Sequence, residues 1–591
     1  MEEIIIDDLN ESTTTIKNIT EEVFNIVSPL LRAYLPNYKF MPSVRMGLFD
    51  GIKKFYKIVG RDLQFPKGLT PYVLNKLQKL NYNLHYNSIQ HNDILPTEDE
   101  FREFVNGLGL PFQPYDYQFK ASYESLLSYR QINVMCTSSG KSLTIYLILR
   151  WFLAHNMKTV LLVPRISLVE QMYSDFISYG WKDIDEYTKK IGGDNKVETL
   201  DSDLIISTWQ SFQDVSKNYK KRVYTLTQQY EGDELDGGNI IKASTFINRR
   251  CNRVDYDDGS FEIIGINQKP SKNIEYSMSE IKGYYSNIIE KNGNIFNDVD
   301  ALIIDEVHTA SSSGTGGNIY ENVIFPASTG SRYRLGFTGT LKKDLVFKMS
   351  LLGTIGASKT YVKPRQLIDM GLATPVQIKA LFLNYPMTEK SGVLKLTYQQ
   401  EVDYIATHTK RNNIIANVAN KLASNGDNTI VLFDRVEHGE RMALQAVKNK
   451  FGIDVKPDTL RKLDNPYKIY LVTGKTKASI REDLRQLMER EDGITLYGTS
   501  SILSTGVNIK NLRHLILASG GKSSVTINQS IGRLLRKHVS KDMTTIWDIV
   551  DDFTVKKRTQ TSKNHFYKHF EHRLEIYSEN EYDIIEKEIT V

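Results

Sequence analysis

Asn133-Val-Met-Cys-Thr-Ser-Ser-Gly-Lys-Ser142 carries more information than any other stretch of this 591-residue chain. An apolar strand runs into Ser-Ser-Gly-Lys-Ser and an apolar helix follows, the arrangement with which proteins hold a nucleoside triphosphate. Backbone N–H groups of Thr137, Ser138, Ser139 and Gly140, with the helix N-terminus behind them, are placed to surround a β-phosphate. Lys141 is placed to neutralise charge and the Ser142 hydroxyl to ligate Mg²⁺. Gly140 lets the backbone approach closely. Met135 stands where the first glycine of this pattern is usual, so the loop alone is only moderately specific.

Partners for such a loop follow along the chain. Ala301-Leu-Ile-Ile-Asp-Glu-Val-His308 reads as a short apolar strand that delivers two carboxylates to its C-terminal end, the edge at which parallel α/β sheets bind ligands. There Asp305 would hold Mg²⁺ through water, and Glu306 would orient and deprotonate an attacking water. An acidic strand end that caps a helix is the plain alternative for Asp-Glu alone. Further on, Gln529-Ser-Ile-Gly-Arg-Leu-Leu-Arg536 presents Gln529, Arg533 and Arg536 on neighbouring turns of a helix. Guanidinium matches phosphate oxygens bidentately, so an arginine brought from another domain can stabilise the charge that spreads over a γ-phosphate during transfer. A solvated basic helix face is the bland reading of that segment alone.

In this order, the phosphate loop, the Asp-Glu-Val-His box, Thr338-Gly-Thr340 and the Gln-x-x-Gly-Arg-x-x-Arg helix resemble superfamily 2 helicases. The resemblance extends to Gln118 in Tyr115-Asp-Tyr-Gln118, to Val163-Pro-Arg-Ile-Ser-Leu-Val-Glu-Gln171, to Ser207-Thr-Trp-Gln-Ser211 and to Ser504-Thr-Gly-Val-Asn508. Within the superfamily the chain looks most like the recombination and fork-remodelling helicases of T-even bacteriophages. Tyr38-Lys-Phe-Met-Pro-Ser-Val-Arg-Met-Gly-Leu-Phe-Asp-Gly51 and Leu534-Leu-Arg-Lys-His-Val-Ser-Lys541 carry that closer likeness. The resemblance implies ATP and Mg²⁺ as cofactors, with Gln118 on adenine. It implies that Pro164, Arg165, Thr208, Gln210, Thr505 and Gly506 line a strand path and contact phosphates. It also implies that His308, Thr338 and Thr340 couple the nucleotide site to the nucleic-acid site. Arg165 stands where threonine is commoner in the family.

Composition fits a multidomain machine. Hydrophobic residues make up 40% of the chain, enough to bury several cores. Its two cysteines, Cys136 in the phosphate loop and Cys251 far away, argue against a disulfide framework and for a reducing compartment. No apolar run reaches membrane-spanning length and the amino terminus lacks a basic region, so no membrane partner is expected and the cytoplasm is the default, that of a bacterial host by the resemblance. Net charge is only +5 and does not itself announce nucleic-acid binding. Local segments say more: Arg45 to Lys67, with Phe55 and Tyr56, and Val555 to Arg573, with Phe566 and Tyr567, interleave cations and aromatic rings in the way that suits a sequence-tolerant strand grip.

Strands alternate with helices from Ile132 onward: helix Ser142–His155, strand Thr159–Val163, helix Leu168–Tyr179, strand Leu204–Thr208 and strand Leu302–Ile304. A second round opens with strand Thr429–Phe433 and ends on the arginine-bearing helix. The expected fold is therefore α/β, with two RecA-like doubly wound parallel-sheet lobes, a small α+β N-terminal module and an insertion in the first lobe. Expected boundaries are 1–108 for an accessory DNA-binding module, 109–356 for the first lobe with the insertion at about 213–298, 357–560 for the second lobe and 561–591 for a C-terminal helical tail. In the insertion, Asn252-Arg-Val-Asp-Tyr-Asp-Asp-Gly-Ser-Phe-Glu-Ile-Ile264 reads as a hairpin, whether a strand-separating pin, a partner dock or a decorative loop. The functional expectation is an ATP-dependent DNA helicase or translocase acting on single-stranded and branched DNA, with RNA–DNA hybrids within its range. An RNA-directed ATPase and a non-catalytic scaffold are the alternatives, and intact Lys141, Asp305, Glu306 and Arg536 argue against the scaffold.

Overall fold

The computed structural model describes residues 3–91, 95–191, 202–212, 223–226, 240–243, 251–258, 261–265, 269–270, 272, 274–281, 285–288, 299–309, 330–342, 344–499, 509, 511–521, 524–538, 541–556 and 561–591. Two all-parallel sheets of seven strands dominate it. The first runs in spatial order Thr188–Ile191, Leu204–Thr208, Thr159–Val163, Ala301–Ile304, Tyr333–Thr338, Arg130–Met135 and Ala357–Val362. The second runs Ile469–Val472, Thr495–Thr499, Thr429–Phe433, His514–Leu517, Thr544–Asp552, Val376–Asn384 and Asp583–Thr590. Inner strands such as Thr159–Val163 and Thr429–Phe433 are buried at every position, which is why they read as apolar runs without alternation. The helix Lys141–Ala154 is apolar nearly all round for the same reason. These are two RecA-like lobes.

Two boundaries differ from expectation. Ala357–Val362, expected to open the second lobe, pairs with Arg130–Met135 as an edge strand of the first sheet, and the second sheet begins at Val376. Four of its six residues are exposed, so the side-chain pattern did not mark it as a strand. The tail, expected to be helical, holds helix His565–Glu579 and then strand Asp583–Thr590, which adds to the free edge of Val376–Asn384. That strand is mostly exposed and charged. Main-chain hydrogen bonds, not side-chain burial, place it, so hydropathy carries no signal for it. In the insertion the expected hairpin is present: Cys251–Tyr256 pairs antiparallel with Phe261–Gly265, and Tyr276–Ile281 flanks it.

The C-terminal helix is pinned by charge. Arg573 is buried and donates to both oxygens of Asp548, at 2.8 and 2.7 Å, while Tyr577 donates to the same carboxylate at 2.8 Å. Arg573→Ala would leave that carboxylate buried with one partner, at a cost of about 3–5 kcal/mol. Urea unfolding is therefore expected to reach the second lobe at a clearly lower midpoint in the variant. An unchanged midpoint would contradict the role given to the pair.

The N-terminal module is a five-stranded sheet, in order Lys57–Val59, Asp62–Pro66, Thr13–Ile16, Ile4–Asp8 and Leu84–Asn87, with helices Glu21–Val27 and Thr70–Lys79. It is built onto the first lobe rather than tethered to it. Val346 and Met349 of helix Leu345–Thr354 belong to its core. Arg130 donates to the Glu11 carbonyl at 3.0 and 2.8 Å, and buried Arg334 donates to the Ser12 hydroxyl at 2.6 Å. A Cβ on Gly68 would lie 2.0 Å from the Leu352 carbonyl oxygen, so the backbones meet where only glycine fits.

Candidate active site

Parallel strands bring the sequence motifs to one edge of the first sheet. Arg130–Met135, Tyr333–Thr338 and Ala301–Ile304 are consecutive neighbours, so their C-terminal ends deliver the phosphate loop, the Thr338-Gly-Thr340 segment and the Asp-Glu-Val-His box side by side. The loop is wound tightly, with Ser138 at φ +68° and Gly140 at φ +77°. Gln118 braces it: its amide nitrogen donates to the Ser139 carbonyl at 2.8 Å and its amide oxygen accepts from the Tyr115 N–H at 2.9 Å. Tyr117 donates to the same carbonyl at 2.9 Å. A Cβ on Gly140 would lie 2.2 Å from the Gln118 nitrogen. Gln118, expected to meet adenine, here spends both ends of its amide on the loop and on the start of its own helix.

Lys141 reaches across the loop to the Met135 carbonyl at 3.5 Å and to Glu306 at 3.9 Å. Asp305 is buried beside it, and among the described residues its Oδ1 finds no hydrogen-bond partner. Burial first, and then the charge of Glu306, push the Asp305 carboxyl well above the usual carboxylate range, against the pull of Lys141. A buried carboxylate oxygen left without a protein partner fits Mg²⁺ carried with a triphosphate. Ser142 itself shares a hydrogen bond with the Tyr179 hydroxyl at 2.8 Å. Cys136 is not a reactive thiol: burial pushes its pKa up to about 12.

Glu306 adopts φ +47°, a left-handed conformation that costs a non-glycine residue about 1 kcal/mol or more and is retained where function requires it. From there its carboxylate meets His308 Nδ1 at 3.1 Å, and the same nitrogen lies 2.9 Å from the Thr338 hydroxyl. The Thr340 N–H donates back to that hydroxyl at 3.2 Å. A continuous polar chain thus joins Glu306, through His308, to the Thr338–Thr340 segment.

The second lobe closes the site. Helix Ser524–Leu534 approaches so that the Ser138 hydroxyl donates to the Gly532 carbonyl at 3.1 Å. A Cβ on Gly532 would lie 2.3 Å from that of Thr137. Just beyond the helix, Arg536 is half-buried at this seam and is attracted to Asp175 of helix Ile166–Ser178 in the first lobe. Gln529 and Arg533 share the helix, but their side chains lie outside the described residues, as do Thr505 and Gly506 entirely. Pro164 and Arg165 follow strand Thr159–Val163 at the same sheet edge, with Arg165 exposed, and Gln210 is exposed nearby. Thr208 is buried and bonds Ser211, accepting its N–H at 3.2 Å and donating to its hydroxyl at 2.9 Å. In this structure Thr208 shapes the turn that carries Gln210. Sequence reasoning gave no role to Tyr117, Asp175, Tyr179 or Gly532. For Gly532 the signal was present in the Gln-x-x-Gly-Arg pattern.

Residues 111–343 match the family described as "Type III restriction enzyme, res subunit", and residues 410–538 match "Helicase conserved C-terminal domain". The ATP-dependent DNA helicase uvsW of Enterobacteria phage T4 is 25% identical over 592 aligned residues, covering 97% of this chain and 96% of the relative. The crystal structure of T4 UvsW aligns over 100% of both chains at 24% identity and a TM-score of 0.42. A Type ISP restriction-modification enzyme bound to DNA aligns with 82% of this chain and 32% of its own length, at 15% identity and a TM-score of 0.48. Among the described residues no helix is long and apolar enough to cross a membrane.

Proposed function

We propose that this chain, an ATP-dependent helicase of the superfamily 2 type related to the phage helicase UvsW, unwinds or remodels branched DNA such as forks, junctions and R-loops. The observation that carries this reading is the rigid seating of the N-terminal module on the first lobe through Arg130, Arg334 and the Gly68 contact. The basic segment from Arg45 to Lys67, carried by a module fixed to the ATP-binding lobe, can hold one arm of a branch while the two lobes step along a strand.

Within the motor, Lys141 holds the triphosphate and Glu306 takes the proton from the attacking water, with His308 orienting its carboxylate at 3.1 Å. Asp305 and Ser142 would hold Mg²⁺, which supplies charge neutralisation across the phosphates. Arg536 leaves Asp175 for the terminal phosphate as the lobes adjust, and the chain through Thr338 and Thr340 passes the state of that phosphate to the nucleic-acid face. Pro164, Arg165 and Gln210 at the rim, with Thr505 and Gly506, grip strand phosphates without reading sequence.

The test compares ATP turnover and strand displacement on single-stranded DNA, forked DNA, four-way junctions and RNA–DNA hybrids. Strand displacement on forks and junctions, with turnover highest on DNA, is the expected result. Turnover stimulated by RNA and by no DNA would replace this reading with an RNA-directed ATPase.

A further inference from the structure

One part of the N-terminal module is built unlike a soluble surface. Strands Arg32–Tyr34 and Ile52–Lys54 form a short antiparallel hairpin, and the chain between them carries three large apolar side chains into solvent: Phe40, Met46 and Leu48, exposed by 69%, 66% and 77%. Phe49 borders them, and Tyr34 stacks on Tyr38 with ring centroids 4.5 Å apart. The loop is ordered by its own contacts. The Leu35 N–H donates to the Gly51 carbonyl at 2.8 Å, and a Cβ on Gly51 would lie 2.5 Å from the Tyr38 ring. A held cluster of exposed apolar groups marks a surface that something covers.

Charge identifies the occupant. Between Tyr34 and Lys54 the sequence has Lys39, Arg45, Lys53 and Lys54 against one acid, Asp50, whose carboxylate is spent on the Ile52 N–H at 2.9 Å. Arg45 lies over the Phe40 ring, 5.8 Å from its centroid. Lysine is depleted from the centres of protein–protein interfaces, whereas Phe, Leu and Met flanked by cations are the groups with which proteins unstack base steps while gripping the adjoining phosphates.

Position favours the same partner. Ala33, at the hairpin base, and Phe55, just past it, are buried in one core with Val346 and Met349 of helix Leu345–Thr354. That helix begins five residues after Thr340, so the hairpin is fixed to the element that leaves the coupling segment.

We propose that the loop from Leu35 to Gly51 is a wedge that stacks on the terminal base pair where duplex meets single strand, with Lys39 and Arg45 of the loop and Lys53 and Lys54 at its base on the flanking phosphates. The wedge rests on the branched-DNA reading and assigns strand separation to this loop rather than to the insertion in the first lobe.

The test uses the full chain and a Phe40→Ser/Leu48→Ser variant, both positions being exposed so that no core is disturbed. Forked DNA carries 2-aminopurine at the first paired position. Wild-type protein is expected to raise its fluorescence on binding and the variant to lose that signal, with fork unwinding down about tenfold, while turnover on single-stranded DNA stays within about twofold. A variant that keeps both the signal and the unwinding rate overturns the wedge and leaves the branched-DNA reading standing, which is also the outcome if the loop docks a protein. A wild-type protein that gives no junction signal and no preference for forks over single strands overturns both.

Discussion

Arg536→Ala is expected to lower kcat for DNA-stimulated ATP hydrolysis by about 10³- to 10⁵-fold, the range seen when a phosphoryl-transfer site loses an arginine supplied from outside the nucleotide-binding lobe. The size of the effect follows from where Arg536 sits. It is half-buried near the seam between the lobes, just beyond a helix that touches the phosphate loop through the bond from Ser138 to Gly532 at 3.1 Å. A permanently charged, planar group partly shielded from water there acts on developing phosphate charge with less screening than at an open surface. Its partner in this structure, Asp175, can be exchanged for a phosphate as the lobes adjust. The kcat and KM of the variant separate the roles: loss of kcat with little change in KM for ATP is the signature of a group used in the transition state. A kcat within about fivefold of wild type would remove Arg536 from the chemistry.

Lys141→Ala is expected to abolish measurable turnover, since one transition-state contact of this kind is worth about 10²- to 10³-fold and the lysine also binds the ground state. The structure adds a second reason. Lys141 lies 3.9 Å from Glu306, and its charge opposes the burial and mutual repulsion that raise the Asp305 carboxyl. Without it the paired carboxylates lose their compensation, so affinity for Mg²⁺·ATP falls along with the rate. Titration of a fluorescent ATP analogue and a single-turnover assay check both expectations. Wild-type affinity in the variant would show that the triphosphate lies elsewhere.

Much of this arrangement was legible in the sequence, and the failures have physical causes. Inner strands are marked by their own residues: Thr159–Val163, Leu204–Thr208 and Thr429–Phe433 fall where continuous apolar runs place them, because burial on both faces leaves no other composition. Edge strands are not so marked. Ala357–Val362 and Asp583–Thr590 are held by main-chain pairing and keep largely exposed side chains, so hydropathy marks neither as a strand. In the site, Lys141, Asp305, Glu306 and the Thr338 segment converge because consecutive parallel strands must bring their C-terminal ends together, which local spacing already implies. Contacts between elements far apart in sequence are different. Ser142 on Tyr179, Gln118 on the Ser139 carbonyl and Arg536 beside Asp175 depend on how helices pack over the sheets and how the lobes meet, and no local pattern encodes them. The docking of the N-terminal module through Arg130 and Arg334 is of the same kind. Both arginines sit in ordinary strand positions, and only the fold turns them toward Glu11 and Ser12.

The most direct test of the two-lobe engine is a structure of the protein with single-stranded DNA and a non-hydrolysable ATP analogue. From it one reads the distances from Lys141 Nζ and from the Arg536 guanidinium to the terminal phosphate. The account predicts both within hydrogen-bonding reach, about 3 Å. A phosphate seated on Lys141 while Arg536 stays out of its reach would contradict it.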